Sequence, residues 1–405
     1  MIRSTKTTLK FSNTGKLTKL HSFIDEYQRA VGLCIDVLWA MEKIPTLLPI
    51  EITSKIETWL SKRAIQCAGK QASGIVRGTK KKQTARLWQI NQFKKLGLMQ
   101  KAKKLKAIYH ANSIAKPNVK ELPCELDSRF VQLDLENETS FDGWMTLTSL
   151  GNKLKIAIPI KQHKHFNEMI LRGNIKGGVR LSKQDATFMF DIEEPKEIET
   201  GKTLGIDVGQ KTTLSCSDGQ VVNADKHGHT YQTICNKLAR KKKGSRNFEQ
   251  SHRHRSDYLR WVVKQLNLTG VSVVNRENIK NLRKFSRTSR KLGHWNYAEL
   301  FEVLDLKLEE RGVRVNRLSP TYTSQRCSAC GWVRKTNRSG KKFRCEACSH
   351  EQDADLNAAA NLALNLRLIL AEERLLHKNK AGFYWHAVGE APMVPHTQKT
   401  KKQYF

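Results

Sequence analysis

The sequence predicts a multidomain chain of mixed class: a β-barrel, a helical lobe, and an α/β domain carrying a small metal-binding insert. Three observations predict it. Short alternating stretches, WMTLTSL, KLKIAIPI and ATFMFDIEE, fill the region from Pro117 to about residue 200. From residue 203 onward, strand-like segments alternate with amphipathic helical ones. Cys327-x-x-Cys330 and Cys345-x-x-Cys348 then interrupt that alternation, with fourteen residues between the pairs.

Taken in order, residues 1–20 alternate enough for a strand pair, and 21–115 read as mainly helical. The barrel is therefore expected to be split, formed by 1–20 and 116–200 with the helical segment 21–115 inserted. PKEIETGKT, at 195–203, is a plausible linker. Beyond it TLGIDVG and KTTLSCS are strands, and Asp218-Gly219 is a hairpin turn before QVV. A long basic helix is expected across 229–266, followed by a strand over VSVVNRE. The next helix places Tyr297, Leu300, Phe301, Leu304 and Leu308 on one face. A strand around GVRVNRL leads into the cysteine cluster, and a final helix covers about 356–372. The α/β domain is thus 201–320 and 349–372, the insert 321–348, and 373–405 a flexible tail.

Charge bounds the function. Among 405 residues, 72 Lys and Arg face 38 Asp and Glu, a formal net charge of +34. A field of that sign draws polyanions, and nucleic acid is the partner it favours. The basic N-terminus lacks the continuous apolar stretch of a secretory signal. The most apolar window, VGLCIDVLWA, is short and contains Asp36, so no membrane span is expected. Nine cysteines, five of them scattered, argue for a reducing, cytoplasmic setting and against a disulfide framework. Residues 77–106 carry eleven Lys or Arg and no acid, with Trp88, Ile90, Phe93, Leu96 and Leu98 interleaved. Such a helix suits a phosphate backbone, with Lys80, Lys81, Lys82, Arg86, Lys94 and Lys95 as contacts. A solvated helix face with an ordinary core stripe would read the same way.

Three places carry chemistry. The paired cysteines match a tetrahedral four-thiolate zinc site on two knuckles, and Gly331 permits the first tight knuckle. Four protein ligands close the coordination sphere, so this zinc is structural. Asp207 sits between Ile206 and Val208 in an otherwise apolar strand. An unpaired carboxylate there is costly unless a cation binds it, although an Asp making turn hydrogen bonds at a strand end is equally compatible. Asp355 precedes the last helix, where an Asp also serves as an N-cap, and Asp353 is either a second acid or a bystander. Together a strand Asp, the later post-strand Glu277 and an Asp opening a late helix follow the carboxylate order of the RNase H-like nuclease fold. Carboxylates suit Mg²⁺, a hard ion preferring oxygen, and two such ions about 4 Å apart catalyse phosphodiester hydrolysis.

GIDVG, ENIKNL, SPTYTSQRCSACG, CEAC and DADLNAAANLA stand in the order found in TnpB. Over about 203–366 the chain resembles these transposon-associated RNA-guided nucleases and the compact type V CRISPR effectors. The resemblance implies a RuvC-like nuclease domain with a zinc-ribbon insert that binds target nucleic acid. It also implies an N-terminal wedge-like barrel interrupted by a helical recognition lobe. The family's catalytic, magnesium-binding acids map onto Asp207, Glu277 and Asp355. Implied partners are a guide RNA and a target DNA, which is unwound to an RNA–DNA heteroduplex after a short adjacent motif is read. The setting would be prokaryotic and nucleoid-associated. Lys241, Lys242 and Lys243 in KLARKKKGSR become nucleic-acid contacts, as do Arg283, Arg287 and Arg290 in KNLRKFSRTSRK. One departure stands out: Asn275 and Arg276 intrude before Glu277, where the family has an uninterrupted apolar strand. A shifted register would place Asn275 at the ligand position and imply a nuclease-inactive, RNA-guided repressor. A guide-independent zinc-ribbon binding protein is the third reading, against which the three acids argue.

Overall fold

The computed structural model describes residues 1–111, 114–136, 139–279, 290–367, 369 and 382–388. The chain divides between Glu193 and Glu194 into two compact units, so the division falls just ahead of the expected linker.

The first unit begins with β1 (Ile2–Thr8) and α1 (Thr14–Ala40). The Asn13 side chain accepts the Lys16 N–H at 2.9 Å, so the helix starts inside the segment expected to be a second strand. The helices α2 (Ile50–Thr53), α3 (Lys62–Lys95) and α4 (Met99–Ala111) follow. Next come β2 (Cys124–Leu126), β3 (Val131–Asp134), β4 (Gly143–Leu147), β5 (Ile156–Ile160) and α5 (Lys164–Arg172). The hairpin of β6 (Gly173–Leu181) and β7 (Asp185–Ile192) completes the unit.

Among the described residues these strands do not close into a barrel. They form two antiparallel sheets, β1-β7-β6-β2 and β3-β4-β5, each with free edges. Nor is the helical segment a separate lobe. Leu20, Phe23, Tyr27 and Ile35 of α1 share one apolar core with Ala68 and Ala72 of α3 and Phe188 and Phe190 of β7. An amphipathic helix buries its stripe wherever an apolar sheet face is offered.

The second unit opens with β8 (Lys202–Val208), β9 (Leu214–Cys216) and β10 (Val221–Val222). The long helix expected over 229–266 is two helices, α6 (Tyr231–Arg240) and α7 (Arg246–Gln265). Lys241 takes an extended conformation, and Ser245 caps α7 by accepting the Phe248 N–H at 3.2 Å. Then follow β11 (Val271–Glu277), α8 (Arg290–Gly293), α9 (Tyr297–Glu309) and β12 (Arg314–Leu318). The insert supplies β13 (Trp332–Val333), β14 (Arg338–Ser339), β15 (Lys342–Arg344) and β16 (Glu351–Asp353). Its three-stranded β14-β15-β16 sheet runs past the expected limit at 348 and leads straight into α10 (Ala354–Ala363).

Helix α10 is shorter than expected. Leu364 turns extended and Leu366 bridges to Ala387. Within the stretch expected to be a tail, β17 (Phe383–Tyr384) pairs with β13, and Trp385 is buried. Aromatic side chains bury area there that a solvated tail would leave exposed.

The main sheet has the order β10-β9-β8-β11-β12. β9 and β10 run antiparallel as a hairpin, and β11 and β12 are parallel to β8. Alternation along β8 sends Leu204, Ile206 and Val208 into the core that Leu238, Leu259, Val262 and Leu304 share. Gly205 and Asp207 take the opposite face, which α10 covers. A Cβ on Gly205 would lie 2.0 Å from the Ala359 carbonyl oxygen, so only glycine admits α10 this close.

Candidate functional site

The site follows from register. Asn275 pairs with Gly205 and Arg276 with Ile206 in the parallel β8–β11 ladder, which sets Glu277 beside Asp207 at the strand ends. Gly205, Asp207, Asn275 and Glu277 therefore share the face under α10. Asp355 enters that face from the first turn of α10 and is 5% exposed.

The double reading of Asp353 and Asp355 is resolved by the cap. Asp353 Oδ1 accepts the N–H groups of Asp355 at 2.9 Å and Leu356 at 3.2 Å. Asp353 is the N-cap, and the Asp355 carboxylate is left for the site.

The polar step before Glu277 also has a physical account. Asn275 donates from Nδ2 to the Leu362 carbonyl at 2.7 Å and accepts from Asn316 Nδ2 at 3.0 Å, tying the strand to α10. Arg276 points the other way. It pairs with Asp305 of α9 at 2.6 and 2.8 Å and lies 4.1 Å from the Phe301 ring centroid. Both are buried and satisfied, so the register places Glu277, not Asn275, at the site.

Electrostatics marks the cluster. Burial, then the charges of Glu277 and Asp355, push the Asp207 carboxyl well above its usual range; Arg338 and Lys341 oppose this. Burial raises Glu277 as well, while the Thr323 hydroxyl, 2.9 Å from Oε1, and the Arg338 charge act the other way. Arg338 donates to Asp355 Oδ1 at 2.8 Å, and Lys341 donates to Asp355 Oδ2 and Thr212 Oγ1. The three carboxylates do not all come within 4.8 Å of one another, as the four cysteines do. The two cations of the insert, Arg338 and Lys341, draw on Asp355 instead. Among the described residues no donor hydrogen-bonds the Asp207 carboxylate. A half-buried cluster of carboxylates with the Asp207 oxygens unbonded fits a hard divalent cation, with Asp207, Glu277 and, once Arg338 and Lys341 release it, Asp355 as its holders.

Arg338, Lys341 and Thr323 were not foreseen as site residues. Two of them lie in the β14–β15 hairpin between the cysteine pairs, where RSGKK reads as another basic surface run. Thr323 lies in SPTYTSQ, part of a recognised motif whose individual roles the spacing does not reveal.

The cysteines meet as expected. Cys327 and Cys348 sulfurs are 3.7 Å apart, and those of Cys330 and Cys345 3.6 Å. Bonds of about 2.3 Å to a tetrahedral zinc require sulfur separations of about 3.8 Å, so this donor set is compatible with zinc. Gly331, at φ +80°, turns the first knuckle and donates to the Cys327 carbonyl at 3.0 Å. Ser349, at φ +60°, performs the same turn after the second pair.

α10 also grips the insert. Asn357 and Asn361 donate to the Arg326 carbonyl at 2.8 and 2.7 Å, and Asn357 Oδ1 accepts the Ser328 N–H at 2.9 Å. The buried Arg326 guanidinium donates to Asn361 Oδ1 at 2.7 Å and the Trp385 carbonyl at 2.6 Å. The two asparagines of NAAAN thus fix the first knuckle above the carboxylates.

The basic candidates fare differently. Lys80 donates to the Trp39 and Met41 carbonyls at 3.1 and 2.7 Å, capping the end of α1. Arg86 is half-buried beside Gln83, whereas Lys81, Lys82, Lys94 and Lys95 are exposed. Trp88 is 62% exposed, and Ile90 alone of the five interleaved apolar residues is buried. Lys242 and Lys243 are exposed in the α6–α7 turn beside half-buried Lys241. Arg290 opens α8, while Arg283 and Arg287 lie outside the described residues. No described helix is long and apolar enough to cross a membrane.

Residues 297–362 match the family described as Cas12f1-like, TNB domain. The chain is 40% identical over 128 residues to CRISPR-associated endodeoxyribonuclease Cas12f1 of Sulfoacidibacillus thermotolerans, covering 31% of this chain and 29% of that one. It is 24% identical over 230 residues to a TnpB-like protein of Methanocaldococcus jannaschii, covering 49% of this chain and 81% of the relative. The aligned part spans under half the length of the Cas12f1 relatives. The fold is shared with Alicyclobacillus acidoterrestris C2c1, solved with single-guide RNA, at a TM-score of 0.56, 8% identity and coverage of 93% and 88%. It is shared equally with the mini-RNA-guided endonuclease CRISPR-Cas_phi3, at 0.54, 10% identity and coverage of 90% and 92%. The chain accordingly resembles the TnpB and Cas12f1 proteins in sequence, carries a Cas12f1-like TNB domain, and has the multidomain α/β fold of type V effectors.

Proposed function

We propose that this chain is an RNA-guided DNA endonuclease whose RuvC-like, RNase H-like site is built from Asp207, Glu277 and Asp355. The observation that carries this reading is the convergence of three carboxylates from β8, β11 and α10 on one sheet face, in a chain of net charge +34. The strand order, with a β8–β10 hairpin meander and parallel β11 and β12, is the order that nuclease fold requires. Relatives bearing the name endodeoxyribonuclease support it.

In this reading Mg²⁺ ions, when bound, activate water and stabilise the leaving oxygen. The chain's own part is positional. Asp207 and Glu277 present oxygens from adjacent rigid strand ends, and Thr323 holds the Glu277 carboxylate by its Oε1. The ribbon brings Arg338 and Lys341 to the mouth of the site, where they suit a phosphate once Asp355 is engaged elsewhere. A zinc ion held by Cys327, Cys330, Cys345 and Cys348 would be structural, fixing the knuckles, while the asparagines of α10 hold the ribbon. Exposed cations of α3 and of the α6–α7 turn would track the RNA and heteroduplex backbone, while base pairing supplies the sequence. A short target-adjacent motif would be read first. The register of Asn275 favours this reading over the nuclease-inactive repressor, since Asn275 is committed to α10.

The test is to purify the protein with its RNA, sequence that RNA, and assay the complex on matching DNA with Mg²⁺. Asp207→Ala, Glu277→Ala and Asp355→Ala should each lower cleavage by at least about 10³-fold, with RNA binding retained. Cleavage that survives Glu277→Ala would overturn the assignment.

A further inference from the structure

A second cluster of different chemistry lies away from the carboxylates, where the segment before α6 meets α7. Asp225-Lys226-His227-Gly228-His229 turns back on itself: Asp225 Oδ1 accepts the N–H groups of His227 and His229 at 2.8 and 2.9 Å. That turn leaves Oδ2 facing the His229 ring, 3.2 Å from Nδ1. His254 of α7 meets His229 edge-on, with ring centroids 4.8 Å apart. One ligand atom from each of Asp225, His229 and His254 lies within 4.8 Å of the other two. One turn further along α7, the Tyr258 hydroxyl donates to the Asn223 carbonyl and meets Thr213 Oγ1 at 2.7 Å, anchoring both sides of the cluster.

We propose that Asp225, His229 and His254 form a second metal site, for a transition ion of the zinc class, independent of the four cysteines. Two imidazoles and one carboxylate are a donor set for zinc, and hard Mg²⁺ or Ca²⁺ would prefer oxygen alone. Bonds of about 2.0–2.2 Å place such donors roughly 3.3 Å apart, which small rotations of these part-exposed side chains reach. Asp225 is pre-oriented by its two backbone donors, as a ligating carboxylate is in settled sites. Lys237 and Asp257 flank His254 with opposite charges. An ion held by these three residues would clip the 225–229 turn to α7.

The test uses the full chain, dialysed against Zn²⁺ and then against metal-free buffer, with bound metal counted by mass spectrometry. The parent should hold about two zinc ions per chain, and His229→Ala and His254→Gln about one each, with unchanged circular dichroism. Cobalt substitution separates the sites: thiolate charge-transfer absorption should persist in both variants, while the weaker visible bands of the nitrogen and oxygen site disappear. About one zinc in the parent, or two retained in either variant, overturns the proposal and leaves these contacts as simple ring packing and an ion pair.

Discussion

Asp207 shows how a single carboxylate can be costly and informative together. It is half-buried at the end of β8, held near two other acids, and receives no hydrogen bond among the described residues. Replacing it by Asn removes the charge at almost constant shape. Asp207→Asn should therefore stabilise the metal-free protein by on the order of 1 kcal/mol, roughly 2–4 °C in melting temperature for a unit of this size, while abolishing cleavage. Scanning calorimetry in chelator checks this. The pH dependence has a definite sign. Both Asp207 and Glu277 hold their protons more tightly folded than unfolded. Their contribution to metal-free stability is full below the ordinary carboxylate range and is lost as pH rises through their raised values. Mg²⁺ competes with those protons, so its affinity should climb over the same window. Isothermal titration from pH 5 to pH 8 should show tightening, and a flat profile would count against a shared carboxylate site.

At the scale of elements, what assembles the candidate site is the close seat of α10 on β8 and its grip on the cysteine-bearing insert. Gly205→Ala places a Cβ against the Ala359 carbonyl, where backbone has to move. We expect a loss of about 1–3 kcal/mol, measured by denaturant melts, together with loss of cleavage although no ligand was changed. Cys327→Ser should release zinc and loosen the knuckle from which Thr323 and the ribbon cations reach the acids. The expected outcome is near-stoichiometric zinc loss and a fall in cleavage far larger than the fall in RNA binding. A zinc-free variant with full activity would refute a structural role. The elements themselves were mostly legible. Strands β4, β5, β7, β8, β9 and β11 fall where alternation or apolar runs place them, and the Asp218-Gly219 hairpin is present. Ends and breaks were not: α1 starts early at its Asn13 cap, and the basic helix divides at Ser245. Capping side chains decide such limits, and periodicity does not register them.

Across the whole molecule, positive charge dominates, and Lys81, Lys82, Lys94 and Lys95 expose part of it along α3. Replacing Lys81, Lys82, Lys94 and Lys95 by Ala should weaken RNA binding at all sequences. It should also flatten the slope of log affinity against log salt by about 0.7–0.9 per lost phosphate contact. Lys80 belongs in a separate variant, because its loss exposes the end of α1 and would read as instability. The sequence by itself determined the basic character, the paired cysteines, the α/β half and the three acids as candidates, because each is local: a count, a spacing, a residue type at odds with its neighbours. Only the tertiary structure decided the rest. It made two open sheets and the helices one core where a barrel and a lobe were expected, since sheet closure depends on edge pairing between distant strands. It made Asp353 the cap and Asp355 the ligand candidate, tied Asn275 to α10, and turned Arg276 toward Asp305. It also brought Lys341, Arg338 and Thr323 to the acids. Those choices rest on which face of a strand meets which helix, and that is settled by register and close packing between segments far apart in the chain.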